Sequence, residues 1–152
     1  MRLAVCSFLE PADTTVFASA ALPLHVTVLG NFILDADFDE FASIVTAAAR
    51  MLPITVHLGT DEVFGANGEY QVTVTEPSVS LTELHNELLD RARRVGAVLD
   101  NPEYGGDGYR AHVTWPGNVR PALAAVLTLA SLSIVELEPD GDTQLRRVMA
   151  TA

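Results

Sequence analysis

The 152 residues suit one domain and would cramp two of ordinary size, and a chain that is 49% hydrophobic and only 19% charged carries too much apolar material to stay disordered. Twenty acidic residues stand against nine basic ones, all of them arginine, for a net charge of −11. A surface that acidic repels polyanions and excludes a protein that coats long DNA or RNA through counterion release, but not one that holds a small phosphate at a local site. The one cysteine, Cys6, permits no intrachain disulfide and no C-x-x-C zinc spacing, and reads as a buried core thiol.

In chain order, residues 2–9 predict a buried opening strand that stops at Glu10-Pro11. This run contains Ser7 and lacks the shape of a signal peptide, and no stretch reaches the ~20 apolar residues of a membrane span. The expectation is a cytoplasmic protein with no membrane partner, monomeric by default. Residues 14–21 are small and apolar, a short helix or a loop. Residues 24–29 (LHVTVL) are rich in β-branched side chains and end at Gly30, which predicts a strand. Over 37–52, Phe38, Phe41, Ile44, Val45 and Ala48 keep helical spacing, with Asp35 or Asp37 as cap and Pro53 as the break. Strands are predicted at 54–58 and 70–75. A second amphipathic helix is predicted at 80–96, with Ser80 and Glu83 as a capping box and Leu81, Leu84, Leu88, Ala92 and Val95 as its apolar stripe. A loop with three glycines fills 100–108, and a strand at 109–115 closes at Pro116-Gly117. The remainder predicts a short helix at 120–127 and a hairpin, 129–137 with 144–149, around Pro139-Asp140-Gly141. Several strands adjacent in sequence favour an α+β fold with antiparallel sheets over a doubly wound parallel sheet.

An internal echo carries the chemistry. Residues 25–30 read His-Val-Thr-Val-Leu-Gly and residues 112–117 read His-Val-Thr-Trp-Pro-Gly, so two of the four histidines share the context H-V-T-x-x-G. Strand alternation puts His25 with Thr27, and His112 with Thr114, on one face, while Val26, Val28, Val113 and Trp115 turn to the other. Trp115 is therefore expected in the core. Two such strands side by side place two imidazoles and two hydroxyls around one cleft. Phosphodiester cleavage needs a base for the nucleophile and an acid for the leaving alkoxide, and histidine serves as either near neutral pH. The threonine hydroxyls can donate to the non-bridging phosphate oxygens. A lone H-x-T in a strand is more often structural than catalytic, and the doubling reverses that balance.

These motifs resemble those of the 2H phosphoesterase superfamily, which includes the LigT-like RNA 2′,3′-cyclic phosphodiesterases, once called 2′-5′ RNA ligases. The family's signature is two H-x-[ST]-x motifs on strands about half a chain apart, here His25-Val26-Thr27-Val28 and His112-Val113-Thr114-Trp115. The resemblance implies one domain over 1–152, with two pseudo-symmetric lobes of antiparallel sheet and flanking helices around a central cleft. It implies a phosphodiesterase that needs no metal or other cofactor, with His25 and His112 catalytic and Thr27 and Thr114 on the phosphate. The substrate would be a 2′,3′-cyclic phosphate or a 2′-5′ or 3′-5′ diester. The chain is shorter than the fuller bacterial members and lacks the basic residues that would grip tRNA, which favours a small nucleotide or oligonucleotide. Some phage members cleave cyclic oligonucleotide immune signals, and a compact acidic enzyme is compatible with that role. A non-catalytic nucleotide-binding module is the alternative from another class.

Supporting residues follow from position. Arg110, two before His112, points into the same cleft and suits a phosphate; an exposed or salt-bridged arginine is the other reading. Tyr104 and Tyr109 flank the glycine-rich loop and suit stacking on a base, with ordinary packing as the alternative for each. Ser7 or Phe8 would line the cleft from the opening strand. His57 and His85 lie outside the motif and read as ordinary histidines, and no H-x-x-x-H ligand spacing is present.

Overall fold

The computed structural model describes residues 1–12 and 14–152. Ten strands and two helices follow in the order β1 (Arg2–Phe8), β2 (Val16–Ala18), β3 (His25–Ile33), α1 (Phe38–Ala48), β4 (Ile54–Phe64), β5 (Tyr70–Thr75), α2 (Val79–Arg94), β6 (Val98–Leu99), β7 (His112–Thr114), β8 (Val126–Leu129), β9 (Ser133–Glu136) and β10 (Leu145–Thr151), with short 3-10 turns between them. The strands hydrogen-bond in the order β2-β10-β9-β1-β3-β7-β5-β4-β8, β6 adds to the far end of β3, and the pairings are antiparallel. The fold is α+β, an open antiparallel sheet with two helices packed on it.

Two lobes meet at the centre of that order. One runs from β2 to β3 and the other from β7 to β8. They join where Val26 stands opposite Val113, the one Cα pairing between the two motif strands. Both valines are fully buried and belong to a core with Phe32 and Val28 from the sheet, Phe41 and Val45 from α1, and Leu81, Leu84 and Leu88 from α2. The Phe32 and Phe41 rings meet at 5.2 Å. β1 is buried on both sides: Leu3 and Val5 face the main core, while Ala4 and Cys6 join a smaller cluster with Val135 and Leu137. That is why its sequence is a continuous apolar run without alternation.

Several expectations need correcting. Helix α2 is capped by Ser78, whose hydroxyl accepts from the Leu81 amide at 3.2 Å. The predicted Ser80–Glu83 capping box is not used, because Ser78 is the residue with extended backbone (φ −131°, ψ 115°) and Ser80 already lies inside the first turn. At the other helix, Asp37 is the cap, accepting from the Asp39 and Glu40 amides. No helix forms at 120–127. Val126–Leu129 pair with Ile54–His57 as β8 instead, a long-range pairing that overrides the local helical preference. The predicted closing hairpin does form between β9 and β10, but Leu129 belongs to β8, on the opposite side of the sheet. The strands β2 and β6 were not foreseen. Trp115 turns away from His112 as expected but is half-exposed and outside the core. Its indole Nε1 donates to the Thr73 hydroxyl at 2.9 Å, and the Arg120 guanidinium lies 5.9 Å from its ring.

Candidate active site at the junction of the two lobes

The register that pairs Val26 with Val113 sets His25 beside Thr114 and Thr27 beside His112, because antiparallel partners have a constant residue sum. With both valines turned into the core, the two imidazoles and two hydroxyls share the opposite face. Thr114 is exposed and Thr27 half-buried, 3.9 Å from the Cys6 sulfur. Cys6 itself is buried, and that burial pushes its thiol up to about 12, so it remains protonated beside the site.

The two histidines are held in matching ways. His25 Nδ1 bonds the Pro23 carbonyl at 2.7 Å, and His112 Nδ1 bonds the Arg110 carbonyl at 2.8 Å, each carbonyl lying two residues upstream. A carbonyl oxygen only accepts, so Nδ1 carries the hydrogen in both rings and the neutral form leaves Nε2 with a free lone pair. A phenylalanine stands edge-on to each imidazole: Phe8 to His25 at 5.9 Å and 76°, and Phe64 to His112 at 4.8 Å and 70°. Burial lowers both imidazoles below their ordinary pKa, against the opposing pull of the carbonyl bonds. A neighbouring positive charge, His112 for His25 and Arg110 for His112, lowers each further. The site thus offers two imidazoles of set tautomer, depressed basicity and common facing.

Residues 9–149 match the family described as the 2′-5′ RNA ligase superfamily. The chain belongs to that superfamily. Among solved structures, it is similar to E. coli LigT complexed with NADP+, at 14% identity and a TM-score of 0.60, over 99% of this chain and 95% of that one. The complex of E. coli LigT with 3′-AMP also has 14% identity, with a TM-score of 0.57 over the same shares. A crystal structure described as a phosphoesterase has 16% identity and a TM-score of 0.51, over 88% of this chain and 86% of that one. At such identities the likeness speaks for the fold alone. No curated protein matches the chain in sequence. Membership confirms the 2H, LigT-like resemblance and supports a phosphodiesterase-type function.

The remaining predicted residues of this superfamily member divide. Arg110 is salt-bridged: its Nη2 donates to Glu62 Oε2 at 2.7 Å, and its guanidinium lies 5.2 Å from the Phe64 ring that also touches His112. It thus sits next to the second histidine with its charge already shared, and the bond holds the Glu62 carboxyl below its usual range. Tyr109 shows the packing that was its alternative reading. Its hydroxyl donates to the Thr27 carbonyl at 2.9 Å, and its ring stacks on His85 at 3.9 Å with 4° between planes. With one ring face on His85 and its hydroxyl engaged, it is packed between α2 and the motif strands, and it also lines a groove beside Arg110 and Ala111. Tyr104 is 64% exposed on the turn Pro102–Tyr104, and no hydrogen bond or ring contact among the described residues ties it to either histidine. Of the two β1 candidates, Phe8 reaches His25. Ser7 stands opposite Val26, fully buried, its hydroxyl without a partner among the described residues.

Sequence reasoning missed Phe64 and the part played by His85. Phe64 ends β4, a long strand of weak alternation that β5 separates from β7, so only the tertiary structure reveals its ring against His112. His85 is 1% exposed; its Nδ1 donates to the Val28 carbonyl at 2.7 Å and its Nε2 accepts from the Gly106 amide at 2.9 Å. Its place beside the apolar stripe of α2 was visible, its partners were not. No helix is long and apolar enough to cross a membrane among the described residues.

Proposed function

We propose that the chain is a phosphodiesterase that uses His25 and His112 as a base and acid pair, with no metal required by the chemistry, on a small nucleotide or oligonucleotide. The bonds in question are a 2′,3′-cyclic phosphate or a 2′-5′ or 3′-5′ diester. The single observation that supports this reading most is the matched presentation of two Nε2 atoms on adjacent strands. One neutral imidazole takes the proton of the attacking water or ribose hydroxyl as its oxygen bonds to phosphorus. The other, protonated, gives its Nε2 proton to the ribose oxygen as the old P–O bond breaks, and exchange with solvent restores both. Thr27 and Thr114 donate to the non-bridging oxygens, where charge accumulates. Arg110 adds a cation beside His112 and keeps part of its fork for the phosphate. The pseudo-symmetry leaves acid and base unassigned between the two histidines. Crystal structures of E. coli LigT hold NADP+, ATP and 3′-AMP, and we extend that class of small nucleotide to this chain. A reducing cytoplasm suits the unpaired, buried Cys6.

The test is turnover, with EDTA present, of nucleoside 2′,3′-cyclic phosphates, 2′-5′ oligoadenylate and cyclic oligonucleotides. His25→Ala and His112→Ala should each lower kcat by at least about a hundredfold. Activity abolished by EDTA and restored by a divalent ion would overturn the mechanism. Fastest cleavage of intact cyclic oligonucleotides would assign the narrower role of degrading such signals. Nucleotide bound tightly without turnover, and equally well by both alanine variants, would make the chain a binding module.

A further inference from the structure

A groove of about 480 Å3 opens beside the second motif, within the range of small-molecule sites. Val74, the register partner of His112 across β5 and β7, lines it, and so does Arg110, whose carbonyl orients the His112 imidazole. The groove therefore lies beside the His112 end of the site, reached through Tyr109, Arg110 and Ala111, while His112 itself does not line it. Its deep wall is apolar, formed by the buried Val74 and Leu81, and Thr82 of α2 stands at its exposed edge. Its charged lining is one cation, Arg110, against two carboxylates, Glu62 and Glu76. Arg110 is bonded to Glu62, while the exposed Glu76 carboxylate has no hydrogen bond or ion pair among the described residues.

Two carboxylates and one engaged guanidinium repel a second phosphate. They suit a flat, weakly polar body that offers hydrogen-bond donors. We propose that this groove is a nucleobase subsite. It would take the base of the nucleoside joined to the scissile phosphate on the His112 side, preferring bases with amino donors (guanine, adenine, cytosine) over uracil. Guanine fits best, because its N1–H and N2–H can both donate to one carboxylate, whereas uracil offers a single N3–H. The inference rests on the functional reading above for where the phosphate lies, while the groove's preference for a base rests on its own lining.

The experiment is a calorimetric titration of GMP and UMP into the wild type and two variants, Thr82→Trp and Glu76→Ala, each checked for native folding by circular dichroism. Thr82 and Glu76 are both exposed, so neither change disturbs the core. GMP should bind the wild type about tenfold more tightly than UMP, a difference of about 1.4 kcal/mol. Thr82→Trp, which fills the groove, should weaken GMP by about tenfold. Glu76→Ala should bring the two nucleotides to within about twofold of each other. Equal affinity in the wild type, or a folded Thr82→Trp that binds GMP undiminished, overturns the subsite. Those results are read without turnover, so they leave hydrolysis of cyclic phosphates standing. Base-selective binding in a protein that cleaves nothing would instead keep the subsite and remove the phosphodiesterase.

Discussion

His25 and His112 each bond a carbonyl two residues upstream through Nδ1, that of Pro23 and that of Arg110. Each carbonyl lies in a three-residue segment outside regular structure, 22–24 and 109–111, that follows a short 3-10 turn (Ser19–Ala21, Gly106–Gly108) and leads into the motif strand. The bond sets the tautomer, and burial, followed by neighbouring positive charge, lowers both pKa values from 6.5. The pH dependence follows. In the proposed mechanism one histidine must be protonated and the other neutral, so kcat/KM should trace a bell whose alkaline limb falls below about pH 6.5. A bound phosphodiester anion favours the imidazolium, so the kcat profile should lie to the alkaline side of the kcat/KM profile. Steady-state rates from about pH 4.5 to 8.5 measure both; a kcat/KM maximum at pH 8 would contradict lowered values.

At the scale of elements, β3 and β7 share a single Cα pairing, too little main-chain bonding to hold two lobes in register. Side chains extend the joint. Tyr109 reaches the Thr27 carbonyl, His85 on α2 reaches the Val28 carbonyl, and His85 also accepts the Gly106 amide, so one stacked pair ties β3 to the loop that leads into β7. The loop has little freedom to compensate: a Cβ on Gly108 would lie 1.8 Å from the Glu103 carbonyl oxygen, and Gly106 holds φ +60°. Tyr109→Phe should cost about 1 kcal/mol in chemical denaturation. Because the lost hydroxyl is the one bonded to the Thr27 carbonyl, the variant should lower kcat about tenfold or less with little change in KM, the mark of a misplaced pair of histidines. A change confined to KM would argue that Tyr109 meets the substrate. His85 adds a pH term. Burial, before the lesser influence of Arg93 and against the bond to Val28, lowers its pKa. Its neutral form is the folded one, so this stability is fully present above the unfolded value of about 6.5 and is lost as pH falls from there toward the folded pKa. Thermal melts should show a smaller loss between about pH 7 and 5.5 for His85→Gln than for the wild type, because glutamine donates and accepts without titrating.

The whole molecule carries a charge of −11, and the proposed substrates are anions. Long-range repulsion opposes their approach, so added salt should lower KM, by about twofold between roughly 20 and 200 mM, opposite in sign to a basic nucleic-acid enzyme. Long RNA should compete poorly for the same reason; a KM that rises with salt would show that local cations dominate. What the sequence by itself determined was whatever repeats or alternates locally: the doubled H-V-T motif, the common facing of His25 with Thr27 and of His112 with Thr114, both amphipathic helices, and the α+β class. Periods of 2 and 3.6 follow from backbone geometry alone, so they survive without knowledge of neighbours. The tertiary structure alone decided what depends on which strand lies beside which. Residues 120–127 lost their helix to a strand pairing with β4. Ser78 displaced Ser80 as the cap of α2 through its backbone angle. Phe64 came to His112, Tyr109 bonded the Thr27 carbonyl, and Arg110 was taken up by Glu62. Each of these contacts joins residues far apart in the chain, and their free energy of burial and bonding, not local preference, selected the outcome.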